Sequence, residues 1–265
     1  MVFQFAVPQG PWSGETMLSA LTALGLTTNL KMCVDAADKN SYAGTGQSFN
    51  DVSGTGTNFN LGSGSGSDGA DPTFTGNVAI ANKGTYFNNN ADSYFTLSGS
   101  NPAWVQTLHK TGLSFSFAFW IFYSGGTRAI FGDCDTLASI GVWVRLQTGI
   151  QMQILAGGSV AASATSTISI PSGWTFISGS YSESGGTISY DLNANGTAFT
   201  PSTTALTAPS SSSATYALQL WANGNGQSTS QANTHFACGA IWQGSPRLTA
   251  ANQAAIYDRM KARFN

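Results

Sequence analysis

Side chains able to do acid, base or nucleophilic chemistry are scarce in this 265-residue chain. Glu15 and Glu183 are its only glutamates. Glu15 opens a short helical stretch, and Glu183 sits in a Ser-Glu-Ser-Gly-Gly turn. They are poorly placed to act together as a retaining glycosidase pair, which needs two carboxyl groups about 5–5.5 Å apart. Asp133 and Asp135 could share one strand face. Gly132-Asp133-Cys134-Asp135 reads better as a turn closed by side-chain-to-backbone hydrogen bonds. His235 and Cys238 lie three apart on one expected strand, so a regular strand points them to opposite faces. His109, the other histidine, reads as a hydrogen-bonded or surface imidazole. Gly62-Ser63-Gly64-Ser65-Gly66 lacks the Lys-(Ser/Thr) ending of a phosphate loop and reads as a connector. No catalytic residue is assigned, and the chain is expected not to be an enzyme.

Binding chemistry is better supplied. Seven tryptophans are present, and an aromatic face can stack on a sugar while Asn, Gln and Ser donate and accept hydrogen bonds. Trp120, Trp143, Trp174 and Trp242 sit in strong strand contexts and are read as core. Trp12, Trp104 and Trp221 have looser surroundings. Trp221-Ala222-Asn223-Gly224-Asn225-Gly226 sets an aromatic beside a polar glycine loop. Trp221, Asn223, Asn225 and Trp104 are therefore the candidate ligand-binding residues, with core or interface burial as the competing reading.

The elements that must position these residues are mostly strands. Residues 114–123, SFSFAFWIFY, alternate so that Phe115, Phe117, Phe119 and Ile121 share one face. Both faces turn apolar towards the end, which marks a central strand buried on two sides. Further strands are expected at 30–35, 128–131, 139–146, 149–155, 167–170, 174–182, 187–192, 218–222 and 235–243, separated by Gly, Ser and Asn turns. Residues 161–165 and 201–214 read as loops or edges, and 101–110 as a helical turn. The spacing predicts an all-β sandwich. Residues 247–265 predict a terminal helix capped by Thr249, with Ile256, Met260 and Phe264 on one stripe. Arg259, Lys261 and Arg263 would then favour the negative end of its dipole.

Charged residues make up 8% of the chain, and the net charge is −2. The surface must then be built from Ser, Thr, Asn, Gln and Gly. Nucleic-acid binding is not expected, because phosphate contacts need clustered Lys and Arg. Cys33, Cys134 and Cys238 show no metal-type spacing and read as small buried hydrophobes. No apolar run approaches the roughly 18 residues of a membrane span, and the beginning, MVFQFAVPQGPW, carries no positive region of a signal peptide.

Residues 31–62, KMCVDAADKNSYAGTGQSFNDVSGTGTNFNLG, carry a resemblance. Asp35, Ala36, Ser41, Tyr42, Gly44 and Gly46, then Phe49, Asp51, Val52, Ser53 and Gly54, then Asn58 and Phe59, fall at the offsets that open laminin-G-like, concanavalin A-like jelly rolls of tailed-phage virion proteins. The hairpin around Gly173-Trp174-Thr175-Phe176-Ile177, Tyr181, Gly185-Gly186 and Tyr190, and the helix introduced by Leu248-Thr249-Ala250, resemble the later parts of the same modules. The resemblance spans residues 30–264.

Residues 1–29 lie outside it and read as a separate N-terminal arm, and it implies an all-β, two-sheet antiparallel jelly-roll sandwich over residues 30–265 with a C-terminal helix. It implies a non-enzymatic virion structural protein, a capsid decoration or a tail or fibre accessory, made in the bacterial cytoplasm without a signal peptide. The alternative is a lectin-like carbohydrate- or receptor-binding module. Expected partners are other virion subunits, sister copies in a homo-oligomer and a host-surface glycan, with neither nucleic acid nor membrane insertion. No cofactor is required. Some laminin-G modules bind calcium through loop oxygens, and Asp35, Asp38, Asp51, Asp68 and Asp71 are candidates by loop position, with turn-forming hydrogen bonds as the competing role. Phe3, Phe5, Trp12, Leu18, Leu21 and Leu24 form an apolar set expected to dock the arm on another subunit, rather than fold back on its own sandwich. On that reading a chain starting near Thr28 keeps its melting temperature.

Overall fold

The computed structural model describes residues 14–89, 92–147, 149–166, 169–198, 202–226 and 233–265. Helix α1 (Met17–Ala23) is followed by β1 (Leu30–Asp35), β2 (Ser48–Phe49), β3 (Phe59–Leu61), β4 (Thr73–Thr75), β5 (Tyr86–Asn88) and β6 (Phe95–Leu97). A 3-10 turn at Val105–Thr107 leads to β7 (Ser114–Tyr123), β8 (Arg128–Gly132), β9 (Ile140–Leu146), β10 (Ile150–Ala156) and β11 (Val160–Thr165). Then come β12 (Gly173–Ser184), β13 (Thr187–Ala194), β14 (Thr197–Ala198), β15 (Ser202–Ala205), β16 (Gln219–Leu220), β17 (His235–Gln243) and α2 (Ala250–Phe264).

These strands make two antiparallel sheets packed as a jelly-roll sandwich. The first runs β14-β13-β12-β7-β17-β5-β4, with β1 also paired to β17 and β15 to β13; the second runs β11-β10-β9-β8-β16-β6-β3-β2. Strand β7 is central, flanked by β12 and β17. Its Phe115, Phe117, Phe119 and Ile121 are fully buried between the sheets, against Phe131, Phe236 and Tyr181. Two glycines make room for this row. Gly179 lies across from Phe117 and Gly239 across from Phe119. A Cβ on Gly179 would meet Phe117 Cζ at 2.6 Å, and one on Gly239 would collide with the Phe119 ring.

The other face of the first sheet is covered by the two helices. Met17, Ala20 and Leu21 of α1 join Ile256, Met260 and Phe264 of α2 over Cys33, Ala118, Trp120, Phe176, Cys238 and Trp242. Thr249 caps α2 in a reciprocal box with Asn252, satisfying two otherwise orphaned donors. The three cysteines are free and buried.

Several expectations are corrected here. Leu21 is buried in this outer layer, and Leu18 and Leu24 pack against it. The stretch from Gly14 to Leu24 folds back on its own sandwich because α1 supplies the apolar cover that α2 alone leaves open. Phe3, Phe5 and Trp12 lie outside the described residues. Arg263 sits in the last turn of α2 as expected, and its side chain turns inward to a buried ion pair with Asp35. Residues 161–165 lie in β11 at the edge of its sheet, and Ser202–Ala205 pairs as β15 beside β13, in keeping with the loop-or-edge reading. The strand expected at 167–170 falls partly outside the described residues, and Ser169 and Ile170 are not in a strand.

Candidate functional site

The residues chosen from the sequence for ligand contact do not form an exposed platform. Trp221 and Trp104 are buried, at 1% and 8% exposure, so their stacking role is corrected. The surroundings expected to be looser are instead closed by packing: Trp221 rests on Phe236 at 5.7 Å, and Trp104, beside the 3-10 turn, donates from Nε1 to Thr57 Oγ1 at 3.3 Å. Asn225 is exposed and donates to Asp135 Oδ2 at 3.0 Å, while Asn223 is half-buried.

The aspartates named for calcium are occupied by protein donors. Asp35 accepts from Arg263, from Met17 N at 2.8 Å and from Ala37 N at 2.8 Å. Asp51 gathers Cys33 N, Ser53 N, Ser53 Oγ, Thr55 Oγ1, Gly56 N and Thr57 N. Asp38 closes a turn to Asn40 N at 2.9 Å. Asp68 accepts from Ala70 N and Ser63, and Asp71 from Gln47 Nε2 and Ser67 Oγ. Carboxylates saturated by N–H and O–H donors have few lone pairs left for a cation, which corrects the assignment of Asp35 and Asp51. Among the described residues no three His, Cys, Asp or Glu side chains gather around one point.

The conspicuous phrases of residues 31–62 therefore explain folding. Ser41 Oγ accepts from Asp35 N at 3.0 Å and donates to Asn50 O at 2.6 Å. Tyr42 and Phe49 pack with Phe87 inside the sandwich.

Asp133 is fully buried, and burial pushes its carboxyl up to about 8. Its Oδ1 accepts from Val142 N at 2.6 Å on β9. The turn expected from its side chain is instead built by Ser139 Oγ, which accepts from Asp135 N and Thr136 N. Glu183 Oε1 accepts from Gly186 N at 2.6 Å and so closes its own hairpin turn.

A row that the sequence did not single out is the better site. Asn88 pairs with His235, His235 with Phe122, and Phe122 with Trp174, across strands β5, β17, β7 and β12. All four are half-buried, on the helix-covered face of the first sheet. Tyr86, on the same face as Asn88, stacks on the His235 ring at 4.3 Å. Phe122 and Trp174 meet edge to face at 5.8 Å. Phe264, at the end of α2, bounds the row by packing 4.9 Å from Trp174.

A register shift between Phe236 and Cys238 creates this arrangement. The extra residue of a bulge re-aims the side chains beyond it. His235 and Cys238 pair with Phe122 and Trp120, which share a face, so the opposite-face expectation is corrected. Trp174, read as core, is only half-buried, packed against Phe264 at the end of α2.

The row can offer aromatic faces to an apolar sugar face, with hydrogen bonds beside them. His235 Nδ1 lies 3.1 Å from the acceptor Asn88 Oδ1, and burial lowers the pKa of the imidazole, so near pH 7 a neutral ring donates from Nδ1 to Asn88 and keeps Nε2 as an acceptor. Elsewhere, a cavity of about 220 Å³ lies between Gly25–Thr28 and the start of α2, lined by Trp242, Pro246 and Asn252.

No protein-family model matches this sequence, and no curated protein matches it. Solved structures do. The chain superposes on a binding domain of botulinum neurotoxin DC in complex with SialylT, with TM-score 0.58 and 11% identity over 88% of this chain and 52% of that one. The same domain in complex with rat synaptotagmin II gives TM-score 0.58, 10% identity, 88% and 52%. A mutant of Trypanosoma rangeli sialidase displaying trans-sialidase activity gives TM-score 0.50, 11% identity, 88% and 34%. The fold is a concanavalin A-like β-sandwich. The chain spans about half the length of the neurotoxin binding domains it matches, and at such identities the likeness concerns the fold alone.

Proposed function

We propose that this chain is a non-catalytic, lectin-like recognition module that holds a carbohydrate against the Asn88–His235–Phe122–Trp174 row. The observation that carries the reading is the row itself: aligned, half-buried aromatic rings with an amide and a neutral imidazole at one end. Aromatic rings give large contact area at low entropic cost. The neighbours in complex with SialylT and with synaptotagmin II show this sandwich present in binding proteins and support a recognition role here. The carboxylates of the chain support the non-catalytic part. Asp35, Asp51 and Glu183 spend their oxygens on backbone amides, hydroxyls or a buried guanidinium, and Asp133 is fully buried away from the row. A titration of intrinsic tryptophan fluorescence with neutral and acidic oligosaccharides tests the reading. A saturable change for at least one sugar is expected, and a flat response to every sugar contradicts it.

A second reading places the module on a particle. The surface low in charge, and the resemblance of residues 31–62 to phage jelly rolls, favour display on a tailed-phage virion as a capsid decoration or a tail or fibre accessory. Residues 1–13, with Phe3, Phe5 and Trp12, are the proposed anchor to neighbouring subunits or sister copies. Mass spectrometry of purified particles tests this: stoichiometric copies are expected, and absence from the particle contradicts it.

A further inference from the structure

Arg128 opens β8, and its side chain is fully buried. Its Nε, Nη1 and Nη2 have no hydrogen-bond partner. The guanidinium carbon lies 4.2 Å from the centroid of the Trp221 ring. Trp221 is itself buried, and its Nε1 also lacks a partner. Its backbone is held at φ 68, a region that bulky residues enter only when their surroundings impose it.

Stacking on the indole offsets part of the cost of removing a guanidinium from water, but it leaves every N–H unmet. No acidic side chain supplies the missing charge. The chain has 12 acidic residues, and all of them belong to the described segments. Four are taken in ion pairs, Asp191 by Arg247, Glu15 by Arg259, Asp258 by Lys261 and Asp35 by Arg263. None pairs with Arg128. Burial pulls the Arg128 pKa well down, yet arginine stays protonated in proteins.

We propose that Arg128 and Trp221 form a binding site for one carboxylate or small oxyanion, supplied either by free ions or by an acidic sugar. A planar guanidinium matches two oxygens of such a group, and the indole N–H adds a donor beside it. The site is separate from the aromatic row: Trp221 packs inward on Phe236, whereas Trp174 and His235 lie on the outer face.

Thermal unfolding of the full chain at fixed ionic strength tests the proposal, with chloride as reference and sulfate, phosphate or N-acetylneuraminate added. Ligand that binds only the folded state raises the melting temperature with concentration. A saturable rise is expected in the wild type and should vanish in Arg128→Met, where an apolar chain of similar length replaces the unpaired charge. A response to N-acetylneuraminate alone identifies an acidic sugar, and a response to sulfate or phosphate identifies free oxyanions. Trp221→Phe keeps a ring but removes the donor, and should raise the half-saturating concentration at least about threefold. A wild type indifferent to all three anions overturns the proposal. So does an equal response in Arg128→Met, or, should that variant not fold, an unchanged half-saturation in Trp221→Phe.

Discussion

The guanidinium of Arg263 grips both oxygens of Asp35, Nη1 to Oδ2 at 2.7 Å and Nη2 to Oδ1 at 2.8 Å, with neither side chain exposed. This pair joins the last turn of α2 to the end of β1, and Asp35 also accepts from Met17 N at the start of α1. Burial alone would lower the Arg263 pKa, but the Asp35 carboxylate overrides it and holds the group above its ordinary range.

Breaking that pair from one side should be expensive. Arg263→Met strands a buried carboxylate and should cost about 3–5 kcal/mol. The double variant Asp35→Asn/Arg263→Met should recover part of the loss, because no uncompensated charge remains. Urea unfolding midpoints check this, and a midpoint for Arg263→Met equal to that of the wild type would contradict it.

A chain starting at Thr28 should unfold well below the full-length protein. It loses buried Met17 and Leu21, each contributing about 1.5–3 kcal/mol, and the Glu15–Arg259 pair at 2.5 Å. An almost unchanged melting temperature would mean that α1 adds nothing to the sandwich.

Phe117→Ala should cost about 3–5 kcal/mol, the usual loss for a fully buried phenylalanine. Gly179→Ala should also destabilise, by about 1–3 kcal/mol, because the new methyl overpacks the Phe117 ring. Denaturant titration of both variants checks the glycine–aromatic match across β7 and β12. A Gly179→Ala protein as stable as wild type would refute it.

The central strand and the capped terminal helix were legible because each obeys one strong local period: alternation in β7, and the Ile256, Met260, Phe264 stripe in α2. The role of Asp35 was not, since its partner lies 228 residues away. The aromatic row was hidden for two reasons. Its members come from four strands, and the bulge after Phe236 reverses the face that simple alternation assigns. Trp174 resembled core because nothing local records where α2 ends.

Stability should fall as pH rises from about 4 to about 8 on account of Asp133. Its folded pKa of about 8 lies above the ordinary carboxylate value, so the folded state keeps a proton that the unfolded state releases. Each pH unit in that window then costs at most about 1.4 kcal/mol. Asp133→Asn should flatten this slope and be the more stable protein at pH 7. Urea unfolding at pH 5 and pH 7 decides it, and parallel pH profiles for both proteins would contradict the buried neutral carboxyl.

The central claim, carbohydrate recognition by the outer-face row, is tested most directly by a glycan array probed with the full chain and with Trp174→Ala. Trp174 lies at the start of β12 and is only half-buried, so the variant should fold, with circular dichroism matching the wild type. The account predicts retention of a defined set of glycans by the wild type and at least about a tenfold loss in Trp174→Ala. No retained glycan, or equal retention by a folded Trp174→Ala protein, would contradict it.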